Sequence, residues 1–329
     1  MYAEIADIFL IKTYILRATY MKLFAHPKHE NGMMRAWRPD AMIIDMSAPG
    51  LSEFLLRHRC VLVELVEARG STPREAGTFM LVATETIWGT IGGGQFEYMA
   101  IDNARAMLEG RGETSMDIPL GPEIGQCCGG RTRLSFMLVT PEAEAELRKR
   151  LDHERDTRPT VFLFGAGHVG LALARALAPL PFAVTVIETR KEELADLPDG
   201  MTRRLVAMPE ACIADIPAGG AAVILTHDHA LDFLIAERAL ARADLAYVGM
   251  IGSATKRATF SHWLARQAGR HAEKGGSAAM MARLVLPIGG STVRDKRPEV
   301  IAALVAAELL QQVPLTVPQM HSERQIAGG

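Results

Sequence analysis

A small mixed α+β domain followed by a doubly wound parallel α/β sheet is the fold that the sequence predicts, on three observations. The first half holds a long apolar run, "CVLVELVEA", a hairpin-like pair, "TFMLVA" and "TIWGTI", and the alternating "RTRLSFML". A charged stretch poor in large apolar residues, 141–159, then interrupts the chain. From Thr160 onward, buried-type strands alternate with helices, the pattern of a parallel sheet covered on both faces.

The 329 residues leave room for two cores, and 49% apolar with 22% charged residues is ordinary for a globular protein. A net charge of -2 supplies no basic field, which argues against nucleic acid as a partner. No signal-peptide pattern or membrane-length apolar run occurs, so the expectation is a cytoplasmic protein without a membrane partner. The four cysteines (Cys60, Cys127, Cys128, Cys212) form neither a disulfide framework nor a CxxC zinc pair. Adjacent Cα atoms lie about 3.8 Å apart, below the roughly 4.4–6.8 Å of ordinary disulfides. Cys127 and Cys128 therefore read as free thiols in a reducing compartment.

Residues 1–45 read as a poorly ordered extension: Lys12 splits their apolar runs, and Gly, Pro and charge dominate 26–40. The α+β domain is expected over 46–140, beginning with a short helix over 51–58. "IGGG" opens a helix in which Phe96, Met99, Ala100, Ala104, Met107 and Leu108 recur at helical spacing. In "RTRLSFML", Thr132, Leu134, Phe136 and Leu138 face one way, Arg131 and Arg133 the other. Residues 141–159 read as a solvated helix and linker. The strands "TVFLF", "AVTVIE", "AVILTH" and "LAYVGMI" then build the second domain, 160–312, ahead of a tail over 313–329.

Gly165, Gly167 and Gly170 spell GxGxxG between a strand and a helix, the context of a Rossmann-like phosphate turn. Glu188 closes the next strand, where an acidic residue can meet a nucleotide ribose. The same glycines also serve close helix–sheet packing, so the fold is better supported than the nucleotide. "THDH" ends another strand. His227 and His229 could bind metal, but without a third ligand in sequence a capping role for Asp228 or Thr226 is preferred. Lys256, with Ser253 and Arg257, suits a phosphate or simply a solvated helix face.

In the first domain, Arg74 follows Pro73 in "RGSTPREAG" and could be held toward an anion. Gly92, Gly93 and Gly94 form a second candidate phosphate cradle. "GPEIGQCCGG" sets Gln126, Cys127 and Cys128 beside Gly129, Gly130 and Arg131. Arg131 and Arg133 could favour thiolates there, the form that binds soft metal or carries sulfur. The plainer alternative is a buried pair packing as small hydrophobes.

Together, "RGSTPREAGTFMLV", "IGGGQFE", "GPEIGQCCGGRTRL", "FGAGHVGLALARALAPLPFAVTVIETR", "THDHALDFLIAERAL" and "YVGMIGSATKRATF" resemble the XdhC/CoxI family. "LPIGGSTVRDKRPEVIAALVAAELL" is similar to the ending of the branch serving xanthine dehydrogenase. The resemblance implies a chaperone rather than an enzyme, with the molybdenum cofactor (molybdopterin) as bound cargo. It implies sulfuration of that cargo with a cysteine desulfurase, delivery to apo-xanthine dehydrogenase, contact with molybdenum cofactor biosynthesis proteins, and a homodimer. The anion-binding turns would hold the pterin phosphate, and Cys127 or Cys128 would meet molybdenum or its terminal sulfur. Glu188 departs from the aspartate common in this branch, and residues 1–45 have no family counterpart, as an overextended translation start would explain. The competing reading is an NAD(P)-dependent oxidoreductase using His227 or His229 as acid or base. It leaves "GQCCGG" unexplained, and a plain interaction scaffold leaves both glycine loops unexplained.

Overall fold

The computed structural model describes residues 50–122, 129–267 and 276–315. Expectations placed on residues 1–49, on Gln126, Cys127 and Cys128, and on 316–329 lie outside the described residues. The chain divides into two compact units between Leu138 and Val139.

The first unit runs α1 (Leu51–Arg57), β1 (Val61–Arg69), β2 (Phe79–Val82), β3 (Ile87–Gly89), α2 (Gly94–Leu108), β4 (Ser115–Pro119) and β5 (Arg131–Leu138). Its sheet has the order β3-β2-β1-β5-β4, and every neighbouring pair is antiparallel. Period-two burial places Val61, Val63, Leu65, Met80, Val82, Leu134 and Phe136 on one face. Against them α2 presents Phe96, Ala100, Ile101 and Ala104, which its helical period gathers into one stripe. The β2–β3 hairpin forms where "TFMLVA" and "TIWGTI" place it, with Ala83 N donating to Thr86 O (2.9 Å).

Strand β4 was not legible in the sequence. It is an edge strand in which Ile118 alone is buried, so most of its side chains are chosen for water and leave no apolar signal.

The second unit begins with α3 (Pro141–Asp156), the segment read above as a solvated helix and linker. The division therefore falls ahead of this helix. Thr140 caps it by accepting from Ala143 N (3.3 Å), and Leu147 is its buried residue.

There follow β6 (Thr160–Phe164), α4 (His168–Leu177), β7 (Ala183–Glu188), β8 (Thr202–Leu205), β9 (Ala221–Ile224), α5 (His229–Leu240), β10 (Tyr247–Met250), α6 (Ala254–Arg266), α7 (Gly276–Arg283), β11 (Leu284–Val285) and α8 (Pro298–Gln312). Two 3-10 turns, Lys191–Leu194 and Pro209–Asp215, flank β8. All six strands are parallel, in the order β11-β10-β9-β6-β7-β8. The chain winds outward from β6 through β7 and β8, then returns to place β9 on the other side of β6. That reversal is the switch point where doubly wound sheets open a crevice. One face buries Leu173, Leu177, Val305 and Leu309 from α4 and α8. The other buries Phe233, Ala236, Phe260, Leu264 and Met280 from α5, α6 and α7.

One polar contact pins α8 to the sheet. Tyr247 Oη donates to Glu308 Oε2 (2.7 Å), and the Gly289 N–H donates to the same oxygen (3.0 Å). Burial, with the Glu308 carboxylate beside it, pushes the Tyr247 phenol far above its ordinary range. Tyr247→Phe should cost about 1–3 kcal/mol, because Glu308 is left with a single donor. Urea unfolding of variant and parent measures that difference.

Candidate functional site

At the switch point each glycine of "GAGHVG" has a separate physical reason. Gly165 takes φ +113°, and a β-carbon there would sit 2.6 Å from Leu225 O. A β-carbon at Gly170 would sit 2.1 Å from Gly165 O, so α4 can approach the turn only without a side chain. At Gly167 a β-carbon would meet nothing within 4 Å. Gly167 is also the N-cap of α4, with no side-chain cap on the helix start. Two glycines thus set the turn, and the third leaves an open approach to a helix N-terminus. That is the division of labour expected of a dinucleotide turn.

A cleft opens beside this turn, lined by Gly165, Ile187, Glu188, Pro209, His227 and Leu231 among others. Glu188, at the end of β7, is buried and holds the turn from below: its Oε2 accepts from Ala166 N (2.9 Å). Its Oε1 accepts from Thr189 N (2.8 Å) and Arg190 N (3.2 Å). The Arg190 guanidinium adds Nε to Oε1 (3.3 Å) and Nη2 to Oε2 (3.2 Å). Burial works to raise the carboxyl pKa. The Arg190, Ala166 and Thr189 donors outweigh it and bring the value from 4.5 down to about 2.

Across the cleft, Asp228 caps α5 by accepting from Ala230 N (2.7 Å) and Leu231 N (3.4 Å). His227 and His229 are exposed, and no metal-holding cluster occurs among the described residues. Thr226 donates through Oγ1 to Asp232 Oδ1 (2.7 Å), and its N–H reaches the same oxygen (3.1 Å).

Lys256 is not placed as the phosphate contact expects. It is buried, paired with the buried Asp232, and donates to Ile251 O (2.9 Å). A lysine so enclosed spends its ammonium donors on an internal carboxylate and a carbonyl and does not face a ligand. Arg257 is likewise spent on the carbonyls of Met281, Leu284 and Leu286, and Ser253 caps α6 by accepting from Lys256 N (3.3 Å). The Asp232–Lys256 pair carries no local signature in the sequence, because a first-turn aspartate and a helix-start lysine 24 positions apart belong to different helices.

In the first unit three sequence motifs converge. A β-carbon at Gly92 would sit 2.8 Å from Pro73 Cγ, and one at Gly130 would sit 2.2 Å from Ser71 O. "RGSTPR" is therefore wedged between the glycine loop and the end of the cysteine segment. That segment leaves and rejoins the sheet at one place, with Gly129 N donating to Leu120 O and Leu120 N to Gly130 O (both 2.8 Å).

The expected cradle at Gly92–Gly94 is filled from within. Glu97, buried on α2, accepts from Ile91 N (2.9 Å), Gly93 N (3.1 Å) and the Thr90 hydroxyl, while Gly92 N donates to Thr90 Oγ1 (3.1 Å). Arg74 is exposed and has no partner among the described residues. Arg131 is engaged: its Nε donates to Asp117 Oδ1 (2.7 Å), in a surface network with Arg133 and Glu67. With the Gly93 and Gly129 N–H groups already taken, Arg74 is what the described residues of this region leave for an anion.

Residues 161–309 match the XdhC Rossmann domain, and residues 56–117 match the XdhC and CoxI family. The chain belongs to the XdhC and CoxI family. The XdhC Rossmann match covers the glycine turn, Glu188 and the cleft, and the XdhC and CoxI match covers Arg74 and Gly92–Gly94. An uncharacterized protein of Escherichia coli K12, YqeB, is 29% identical over 261 residues, 76% of this chain and 43% of that protein. The chain thus spans less than half the length of that relative. A crystal structure from Bacillus halodurans, described as a xanthine dehydrogenase, is similar with a TM-score of 0.63. It is 16% identical, with 83% of this chain and 94% of that one aligned, which speaks to fold.

Gly167→Ala should leave the unfolding midpoint unchanged, whereas Gly170→Ala should lower stability by at least about 1–3 kcal/mol through the clash with Gly165 O. Thermal melts of the two variants check this.

Glu188 makes a pH prediction. Its folded pKa lies below 4.5, so its stabilisation is present above pH 4.5 and is lost as pH falls toward about 2. Glu188→Gln should cost on the order of 2 kcal/mol at pH 7, a figure discounted for the partial exposure of Arg190. The gap to the parent should close as pH drops from 4.5 toward 2, read by denaturant midpoints across that range.

Proposed function

We propose that the protein is an accessory factor in the maturation of xanthine dehydrogenase, with the molybdenum cofactor as its cargo. The observation that carries this reading is the convergence of "RGSTPR", the Gly92 loop and Gly130 at the base of the segment bearing Cys127 and Cys128. It sets an exposed guanidinium at the two ends of the stretch whose sequence carries the thiol pair, a donor set that fits a phosphate-bearing ligand with a soft metal. Membership of the XdhC and CoxI family supports it. In this reading Arg74 meets the pterin phosphate, and Cys127 or Cys128 meets molybdenum or its sulfur. A cysteine desulfurase supplies sulfur, and apo-xanthine dehydrogenase receives the cargo. The crevice at Gly165–Gly170 holds a nucleotide.

That crevice is also what favours the second reading, an NAD(P)-dependent oxidoreductase with His227 at the cleft. Steady NAD(P)H consumption with a small carbonyl substrate would support it.

Cys127→Ala combined with Cys128→Ala removes little volume, so cooperative unfolding should persist. Molybdopterin bound to the purified protein, and reactivation of apo-xanthine dehydrogenase, should both fall sharply. Arg74→Ala should lower cargo retention with an unchanged melting temperature, since Arg74 holds no partner among the described residues. Undiminished retention and reactivation in the double cysteine variant would overturn the proposal.

A further inference from the structure

The acid of a nucleotide site binds ribose by accepting hydrogen bonds from its hydroxyls, which requires free acceptor positions. Glu188 has none in this structure. Its donors fall into two kinds: local groups of the turn, namely the backbone N–H groups of Ala166, Thr189 and Arg190 with the Thr189 hydroxyl (Oγ1 to Oε1, 3.2 Å), and the Arg190 guanidinium. The guanidinium bonds, at 3.3 and 3.2 Å, come from a long side chain that is 35% exposed beside the cleft. They approach as a fork, Nε on one oxygen and Nη2 on the other, which is also how two neighbouring hydroxyls would address a carboxylate. Arg190 has a second anchor, because its Nη1 lies 3.0 Å from Glu193 Oε1 on the next turn.

We infer that Arg190 is a self-cap on the ribose site. Its fork occupies the face of Glu188 that the 2′- and 3′-hydroxyls of a nucleotide take, and it withdraws toward Glu193 when such a nucleotide binds. The inference rests on the nucleotide reading of the crevice given above and adds the ligand class: a nucleotide whose ribose carries both hydroxyls free. A 2′-phosphate would be set against the buried carboxylate of Glu188, with Glu193 close by. The cation that could compensate is already held between those two acids.

The alternative role for Arg190 is to grip a 2′-phosphate, and the two roles give opposite signs on removing the side chain. Titration calorimetry of the full chain with NAD+ and NADP+, which differ by that phosphate alone, reads them. The parent should bind NAD+ more tightly than NADP+ by about tenfold or more, since like charges in contact are costly. Arg190→Ala uncaps Glu188 and should tighten NAD+ by about threefold to tenfold, on the scale of a charge-assisted hydrogen bond no longer to be displaced. The preference over NADP+ should widen. The exposure of Arg190 and the three remaining backbone donors to Glu188 predict a folded variant, verified by its melting transition. Preference of the parent for NADP+, or an unchanged or weakened NAD+ affinity in Arg190→Ala, would overturn the self-cap while leaving the nucleotide reading standing. Binding of neither nucleotide to parent or variant would overturn both.

Discussion

The bond from the Ala166 N–H to the buried carboxylate of Glu188 is the contact on which the ligand face of the second unit depends. It ties the turn after β6 to the end of β7, the neighbouring strand of the parallel sheet. With the turn drawn down, Gly165 lies against Leu225 and Gly170 against Gly165, leaving no room for a side chain at either position. The start of α4 then stands beside the switch point with its N-terminal side open at Gly167. A buried carboxylate is tolerable only when several donors meet it, and here the backbone supplies three of them.

The same device recurs. Glu97 gathers the N–H groups of Ile91 and Gly93 ahead of α2, and Asp232 takes the Thr226 N–H while neutralised by Lys256. In each case an internal acid does what a bound anion does elsewhere: it satisfies backbone donors that a sharp loop would leave bare. Loops rich in glycine are therefore not all equivalent. The one before α2 is closed from inside, and the one before α4 keeps an open flank at Gly167. The electrostatics of the two units follow from which acid sits behind which loop.

The two sheets were legible because their interior strands carry strong apolar patterns: "TVFLF" and "AVTVIE" for parallel burial, "RTRLSFML" for a half-buried antiparallel strand. The strands the sequence does not announce, β4, β8 and β11, are edges: polar side chains dominate β4 and β8, and β11 is only two residues long. Gly165, Gly167 and Gly170 could be read because spacing and context are local. The fates of Lys256 and Arg131 could not, since their charges are taken by Asp232 and Asp117, residues 24 and 14 positions away. Helical and strand periods say which way a basic side chain points. They do not say which acid the fold brings opposite it. Arg190 is the reverse case: its partner Glu188 is two residues away, yet the strand ending between them is what turns the guanidinium back onto the carboxylate.

The paired hydrogen bonds between Leu120 and Gly129–Gly130 hold the two ends of the cysteine-bearing stretch together on one spot of the sheet. The free energy of closing such a stretch varies only logarithmically with its length. The ladder beneath, Ser115–Pro119 against Arg131–Ser135, keeps its register whatever lies between the ends. Residues can thus be inserted, deleted or exchanged between 121 and 128 without shifting the register of the sheet below. A chain built this way can vary what lies between those two ends at almost no cost to the frame that carries it, much as a handle accepts different blades.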